Sequence, residues 1–156
     1  MLRKYFALRK RLLPYGQDIL LLLIRVHWGW GFVLAGYGKF THLDKSASYF
    51  DSLGLPLPYV EVLLAGGVEL IGGVLLLVGL GASWVPVPLI VTMLVALFAA
   101  HYDALHSIVA YPDIKPFLSS DPFLYLFSSC IVFFFGAGGI SFDGLRSRYA
   151  RISGTV

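Results

Sequence analysis

One arginine, Arg25, stands in an apolar run long enough to cross a membrane. Leu20 to Tyr37 reads LLLLIRVHWGWGFVLAGY, and its only other strong polar group is His27. A charged side chain at bilayer depth is costly, so it is normally paired and turned toward a bundle interior or a wet cavity. A second apolar run, LLAGGVELIGGVLLLVGL, carries a carboxylate, Glu69. An acid and a base in separate spans predict a buried pair, and arginine's fork suits a bidentate contact that is structural or orients a ligand. Lys39 and Glu61 stand nearer the ends of the same two runs, and HYDALH adds His101, Asp103 and His106. Together these groups could hold a polar headgroup and exchange protons with it, since histidine titrates near neutral pH.

The spacing sorts these residues onto faces. Arg25, Gly29, Phe32, Gly36 and Lys39 are 4, 3, 4 and 3 residues apart, which makes one helical stripe. Its glycines would let a neighbouring backbone come close, as small residues do inside membranes. Glu61 and Glu69 lie eight residues apart, a little over two turns, and so share a face. If the two helices run antiparallel, two acid–base layers follow: an inner Arg25–Glu69 pair and an outer Lys39–Glu61 pair. The plainer alternative is that the inner pair only fixes helix register while Lys39 snorkels to the surface. His101, Asp103 and His106 would then be ordinary polarity at a helix end.

Other chemistries find less support. His101 and His106 are spaced i, i+5, unlike the i, i+4 pair of helical zinc motifs, so no metal site is expected. His27 points about 200° from Arg25 on a helix and lies at a different depth from His101, which argues against haem ligation. No Walker loop, dinucleotide fingerprint, flavin motif or Ser-His-Asp arrangement is present. Cys130 is a single cysteine with no C-x-x-C and reads as a packing residue of a membrane helix.

The elements that must position these groups are membrane helices. Hydrophobic residues make up 58% of the 156 and charged residues only 13%, against about a quarter charged in soluble domains; mean hydropathy is +0.79. The length fits one domain, residues 1–156. Four stretches approach the roughly 20 apolar residues a span needs: Asp18–Tyr37, Pro58–Gly79, Trp84–Tyr102 and Phe123–Ile140. The expectation is an all-α polytopic membrane protein, an antiparallel four-helix bundle. The first span reads as a retained anchor, since no small-x-small cleavage site follows it.

Leu80 to Ser83 forces a tight hairpin, and Pro86 and Pro88 fall in a first helical turn, where proline is tolerated. The connection after the first span, with Lys39, Lys45 and LGLPLP, reads as a polar loop, and the prolines of Tyr111-Pro112, Lys115-Pro116 and Asp121-Pro122 mark turns and the start of the fourth span. Eight lysines and arginines lie in the two terminal segments and three in the longer loops. The positive-inside bias therefore puts both termini in the cytoplasm. Basic ends of this kind suit anionic lipid headgroups rather than nucleic acid.

Arg25-x3-Gly29-x2-Phe32-x3-Gly36-x2-Lys39, then Gly54-Leu55-Pro56, then Ala65-Gly66-Gly67-Val68-Glu69-Leu70-Ile71-Gly72-Gly73 and Leu75 to Gly79, resembles the DoxX family of small bacterial membrane proteins. The late GAGGISFDGL, with Gly136, Gly138, Ser141 and Asp143, is similar to that family's closing segment. The resemblance covers about Leu20 to Leu145. It implies a four-helix bundle in the bacterial inner membrane and a tie to membrane redox systems, with quinone as the compatible cofactor and other redox subunits as partners. In that reading Arg25 and Glu69 set a pocket, while Lys39, Glu61 and His101 handle headgroup and protons. The alternative is a non-enzymatic scaffold or assembly partner whose buried charges specify packing. A third reading, a transporter or permeation unit, would require a bundle this small to form a homo-oligomer. Neither the substrate nor whether the chain is itself an enzyme follows from the residues.

Overall fold

The computed structural model describes residues 2–110 and 113–153; the turn expected at Tyr111-Pro112 lies outside them. Among the described residues there are only helices and turns: α1 (Leu2–Thr41), α2 (Leu43–Ser52), α3 (Pro58–Val78), α4 (Pro86–Ala100), α5 (Tyr102–Ala110), α6 (Lys115–Leu118), α7 (Asp121–Phe135) and α8 (Phe142–Ile152). Proline and glycine punctuate them. α3 and α4 each open on a proline, whose missing N–H is an orphan at that position in any case. α3 closes on Gly79, whose φ of 73° puts it in the left-handed region. There the Leu80 N–H reaches Leu75 O at 3.0 Å and the Gly79 N–H reaches Leu76 O at 3.1 Å, the two bonds of a Schellman stop.

The principal contact is a glycine seam between α1 and α3. A Cβ on Gly36 would stand 2.5 Å from Leu70 N and 2.7 Å from Gly66 O; one on Gly73 would stand 2.8 Å from both Gly29 O and Val33 N. Backbone therefore touches backbone, and only glycine fits at these positions. Gly29 faces Gly73 while Gly36 faces Gly66, so the helices are antiparallel and their register is fixed. α7 also runs antiparallel to α1: Tyr125 stacks edge-on against Trp28 and Phe32, at 4.9 and 4.7 Å between ring centroids. Below it, the Gly139 N–H donates to Asp18 at 2.5 Å. α4 returns along α3 after the Gly79 turn, with Leu89 packed on Gly72. A core of Phe32, Leu76, Leu89, Met93 and Val132 lies among the four helices.

The chain is an all-α membrane protein. α1, over Leu12–Thr41, and α3 are each long and apolar enough to cross a bilayer. α4 reaches that length only together with the start of α5, and the two are bent by 81°. α7 is a shorter apolar helix of 15 residues. Two of the expected spans are thus full length, and the stretch Trp84–Tyr102 is a helix that ends at a bend instead of a straight crossing. The connection after the first span is also not a plain loop. α1 continues to Thr41, and α2 then lies against α3, burying Ala47 and accepting a hydrogen bond from Tyr59 to Asp44 at 3.2 Å.

Candidate functional site

A cavity of about 710 Å³ opens between α2, α3 and α4, within the range of small-molecule sites. Its wall is mostly apolar, with Leu64, Val68, Val91, Val95 and Ala99 among the lining residues. Polar groups come from the end of α1 (Lys39), from α2 (Lys45, Ser46, Tyr49), from α3 (Glu61, Glu69) and from the end of α4 (His101). Lys39 Nζ and Glu69 Oε2 form an ion pair at 2.5 Å, with the Glu69 side chain almost fully buried. Two further atoms on this wall, Glu61 Oε2 and His101 Nδ1, are buried and make no hydrogen bond within the protein. Buried polar atoms are nearly always satisfied, so these two mark where a polar ligand group or water would be held.

This geometry corrects the expected pairing. Arg25 does not meet Glu69, and Lys39 does not meet Glu61; Lys39 takes Glu69 instead. The glycine seam gives the reason. With Gly29 opposite Gly73 and Gly36 opposite Gly66, Arg25 faces the end of α3 near Gly79, about ten residues or ~15 Å below the level of Glu69. Lys39 stands level with Leu63, six residues or ~9 Å from Glu69. The two meet because helical side chains lean toward the N-terminus of their own helix, which in this antiparallel pair tilts Lys39 and Glu69 toward each other and Glu61 away.

Arg25 has a different setting. It is 1% exposed and donates to the carbonyls of Leu76 at 3.3 Å, Leu77 at 3.4 Å and Ile140 at 2.5 Å. The last carbonyls of a helix lack intrahelical partners and carry its negative dipole end, so a guanidinium there caps α3 and ties it to the segment before α8. The same knot includes Asp143, which accepts from the Ala82 N–H at 2.9 Å while its own N–H donates to Gly79 O at 3.1 Å. Ser141 caps α8 by accepting from the Gly144 N–H at 2.9 Å. Every contact in this knot joins one part of the chain to another.

Of the seven candidate residues, Lys39, Glu61, Glu69 and His101 line one cavity. Arg25 lies near the other end of α3, and Asp103 and His106 are exposed on α5 outside the lining. His106 stacks on Tyr102 at 6.2 Å between ring centroids. The contribution of α2 was missed. Its signal was present in LDKSASYFDS, where Leu43, Ala47 and Phe50 recur at spacings of 4 and 3 and so mark an amphipathic helix.

The family model DoxX matches residues 20–102. Every residue lining the cavity falls in this stretch, whereas the knot partners Ile140, Ser141 and Asp143 lie beyond it. Among curated proteins, the chain is similar to "Putative oxidoreductase CatD" of Bacillus subtilis (strain 168). The two are 33% identical over 105 residues, or 67% of this chain and 69% of the relative. No solved structure matches. With the family model covering more than half of its length and a relative matched over two thirds of both chains, this membrane protein belongs to the DoxX family.

Proposed function

We propose that the protein is a subunit of a redox-linked system of the bacterial inner membrane, and that the cavity between α2, α3 and α4 takes the headgroup of a quinone. One observation carries this reading: Glu61 Oε2 and His101 Nδ1 are buried and unpaired on the wall of an otherwise apolar cavity, beside the Lys39–Glu69 pair. A quinone offers two carbonyl acceptors on an apolar ring, and its reduction takes up two protons. His101 can donate to a carbonyl, and Glu61, when protonated, can do the same. Lys39 supplies a positive charge to a reduced headgroup, with Glu69 holding the ammonium in place. The Bacillus relative's name, "Putative oxidoreductase CatD", supports the same reading.

Arg25 fits the other hypothesis, a structural role, because its hydrogen bonds go to backbone carbonyls of its own chain. Scaffold and ligand site thus divide between the two ends of α3. The bundle has four spans in this reading, with α4 and α7 crossing as short helices.

The test is photolabelling of the purified full chain in nanodiscs with an azido-naphthoquinone, the labelled peptides being mapped by mass spectrometry. Label should concentrate on peptides from α2, α3 and the end of α4. Glu61→Gln combined with His101→Leu should raise the half-saturating concentration about tenfold or more, the scale of losing hydrogen bonds to polar or charged partners. Label spread evenly over lipid-facing helices, unchanged in that variant, would rule the site out.

A further inference from the structure

α8 presents an apolar stripe that no other part of the protein covers. Phe142, Leu145, Tyr149 and Ile152 recur at spacings of 3, 4 and 3, one side of a helix. Tyr149 is 75% exposed and Ile152 84%. Arg146 and Arg148, both exposed, lie about 80° to either side of that stripe at 100° per residue. Two arginines bordering an aromatic and aliphatic stripe make the pattern of a helix lying in a membrane interface, with rings and aliphatic chains among acyl groups and guanidinium groups at phosphate level.

The placement of α8 agrees with this pattern. Its first turn is pinned to the turn that ends α3, through the Asp143 N–H to Gly79 O and the Asp143 carboxylate to the Ala82 N–H. The 21 residues of α3 measure about 32 Å, close to the ~30 Å of a hydrocarbon core. Tyr59 stands at one end of α3, and Trp84, 81% exposed, stands just past the other; Trp and Tyr collect at the two membrane boundaries. α8 therefore starts at the depth of a bilayer boundary. A helix held there with an uncovered apolar side faces lipid, not bulk water.

We infer that α8 is an in-plane interfacial helix that binds anionic phospholipid headgroups through Arg146 and Arg148. The site is separate from the cavity and does not depend on what the cavity holds. Its chemical preference follows from the charge. Arg146, Arg148 and Arg151 outnumber the acids near them, Asp143 on α8 and Asp18 of α1, which lies close to the Arg148 guanidinium beside Gly139. Both carboxylates are already engaged by backbone N–H groups, those of Ala82 and Gly139.

The experiment uses the full chain with Cys130→Ala, reconstituted in nanodiscs of phosphatidylcholine with or without phosphatidylglycerol. Single cysteines at positions 145, 147, 149, 151 and 152 carry a nitroxide label, and power saturation reads access to oxygen and to a water-soluble nickel chelate. Labels at 145, 149 and 152 should favour oxygen, and labels at 147 and 151 should favour nickel. Native mass spectrometry should show retained phosphatidylglycerol, with retention falling about fivefold for each arginine removed in Arg146→Gln and Arg148→Gln. Both substitutions are at exposed positions, and an unchanged thermal melt would show that the fold is intact. Nickel access at all five positions would overturn the proposal, because the helix would then be solvated. Protection of 145, 149 and 152 from both reagents would also overturn it, by showing a protein partner or a second copy on that side. Equal retention of the two lipids in the parent chain would remove the headgroup preference.

Discussion

Buried charge in this protein serves two different ends, and the residues involved should respond differently to mutation. Lys39 and Glu69 form an ion pair with the acid almost fully buried. Removing one member leaves an uncompensated charge in a low-dielectric setting, a loss of about 3–5 kcal/mol in fully buried pairs. Here the loss belongs at the lower end of that range, because the Lys39 side chain keeps 21% of its exposure. Lys39→Met or Glu69→Leu alone should lower the detergent-unfolding midpoint, and the double variant should recover a good part of the loss. Arg25 should not couple to Glu69 at all. With ~15 Å between their levels and no shared partner, Arg25→Leu and Glu69→Leu should add within about 0.5 kcal/mol. A coupling energy well above that would mean that the register of α1 and α3 is wrong. Arg25→Lys should also be harmful, since one ammonium cannot span the separate Leu76 and Ile140 carbonyls that the guanidinium fork bridges.

At the scale of the helices, the glycine seam decides everything about that register. Gly36→Ala would press a methyl to within 2.5–2.9 Å of the Leu70 and Gly66 backbone, which cannot rotate away as a side chain could. The helices must then separate, at the 1–3 kcal/mol or more typical of overpacking. Gly38→Ala and Gly67→Ala meet nothing within 4 Å and should be neutral or stabilise by about 0.5–1 kcal/mol through helix propensity. Unfolding midpoints of the three variants in one detergent give the comparison, and equal effects at Gly36 and Gly38 would refute the seam. The stripe itself was legible from the residues: Arg25, Gly29, Phe32 and Gly36 are all buried, because a period of 3.6 fixes which side of a helix they share. What the spacing could not supply was the level at which α3 meets α1. That level depends on a backbone approach between two distant segments and on a connection of unknown shape. Reading 38–57 as an extended loop hid both the last turn of α1 and the whole of α2. The acid–base partners on α3 therefore lie about eight residues from where the spacing puts them, and Lys45 and Tyr49 join the site from α2.

For the molecule as a whole, the two chain ends are brought to one side by contacts far apart in sequence. Asp18 of α1 accepts from the Gly139 N–H, and Arg25 donates to Ile140 O, so the segment leading into α8 lies beside the N-terminal half of α1. The cavity, at the opposite end of α3, opens among Lys39, Glu61 and His101. The arginines and lysines follow the same division, with eight in the terminal segments and Lys39, Lys45 and Lys115 on the end of α1, α2 and α6. If the positive-inside bias holds, the terminal side is cytoplasmic, and the polar mouth of the cavity faces the opposite compartment. Fusion of green fluorescent protein and of alkaline phosphatase after Val156 and after Asp113 tests this directly. The C-terminal fusion should fluoresce and lack phosphatase activity; the fusion at Asp113, next to α6, should do the reverse. Phosphatase activity at the C-terminus would invert the molecule and put the mouth of the cavity in the cytoplasm. Activity at both positions would put Asp113 and the C-terminus on one side, and would mean that α7 does not cross the membrane.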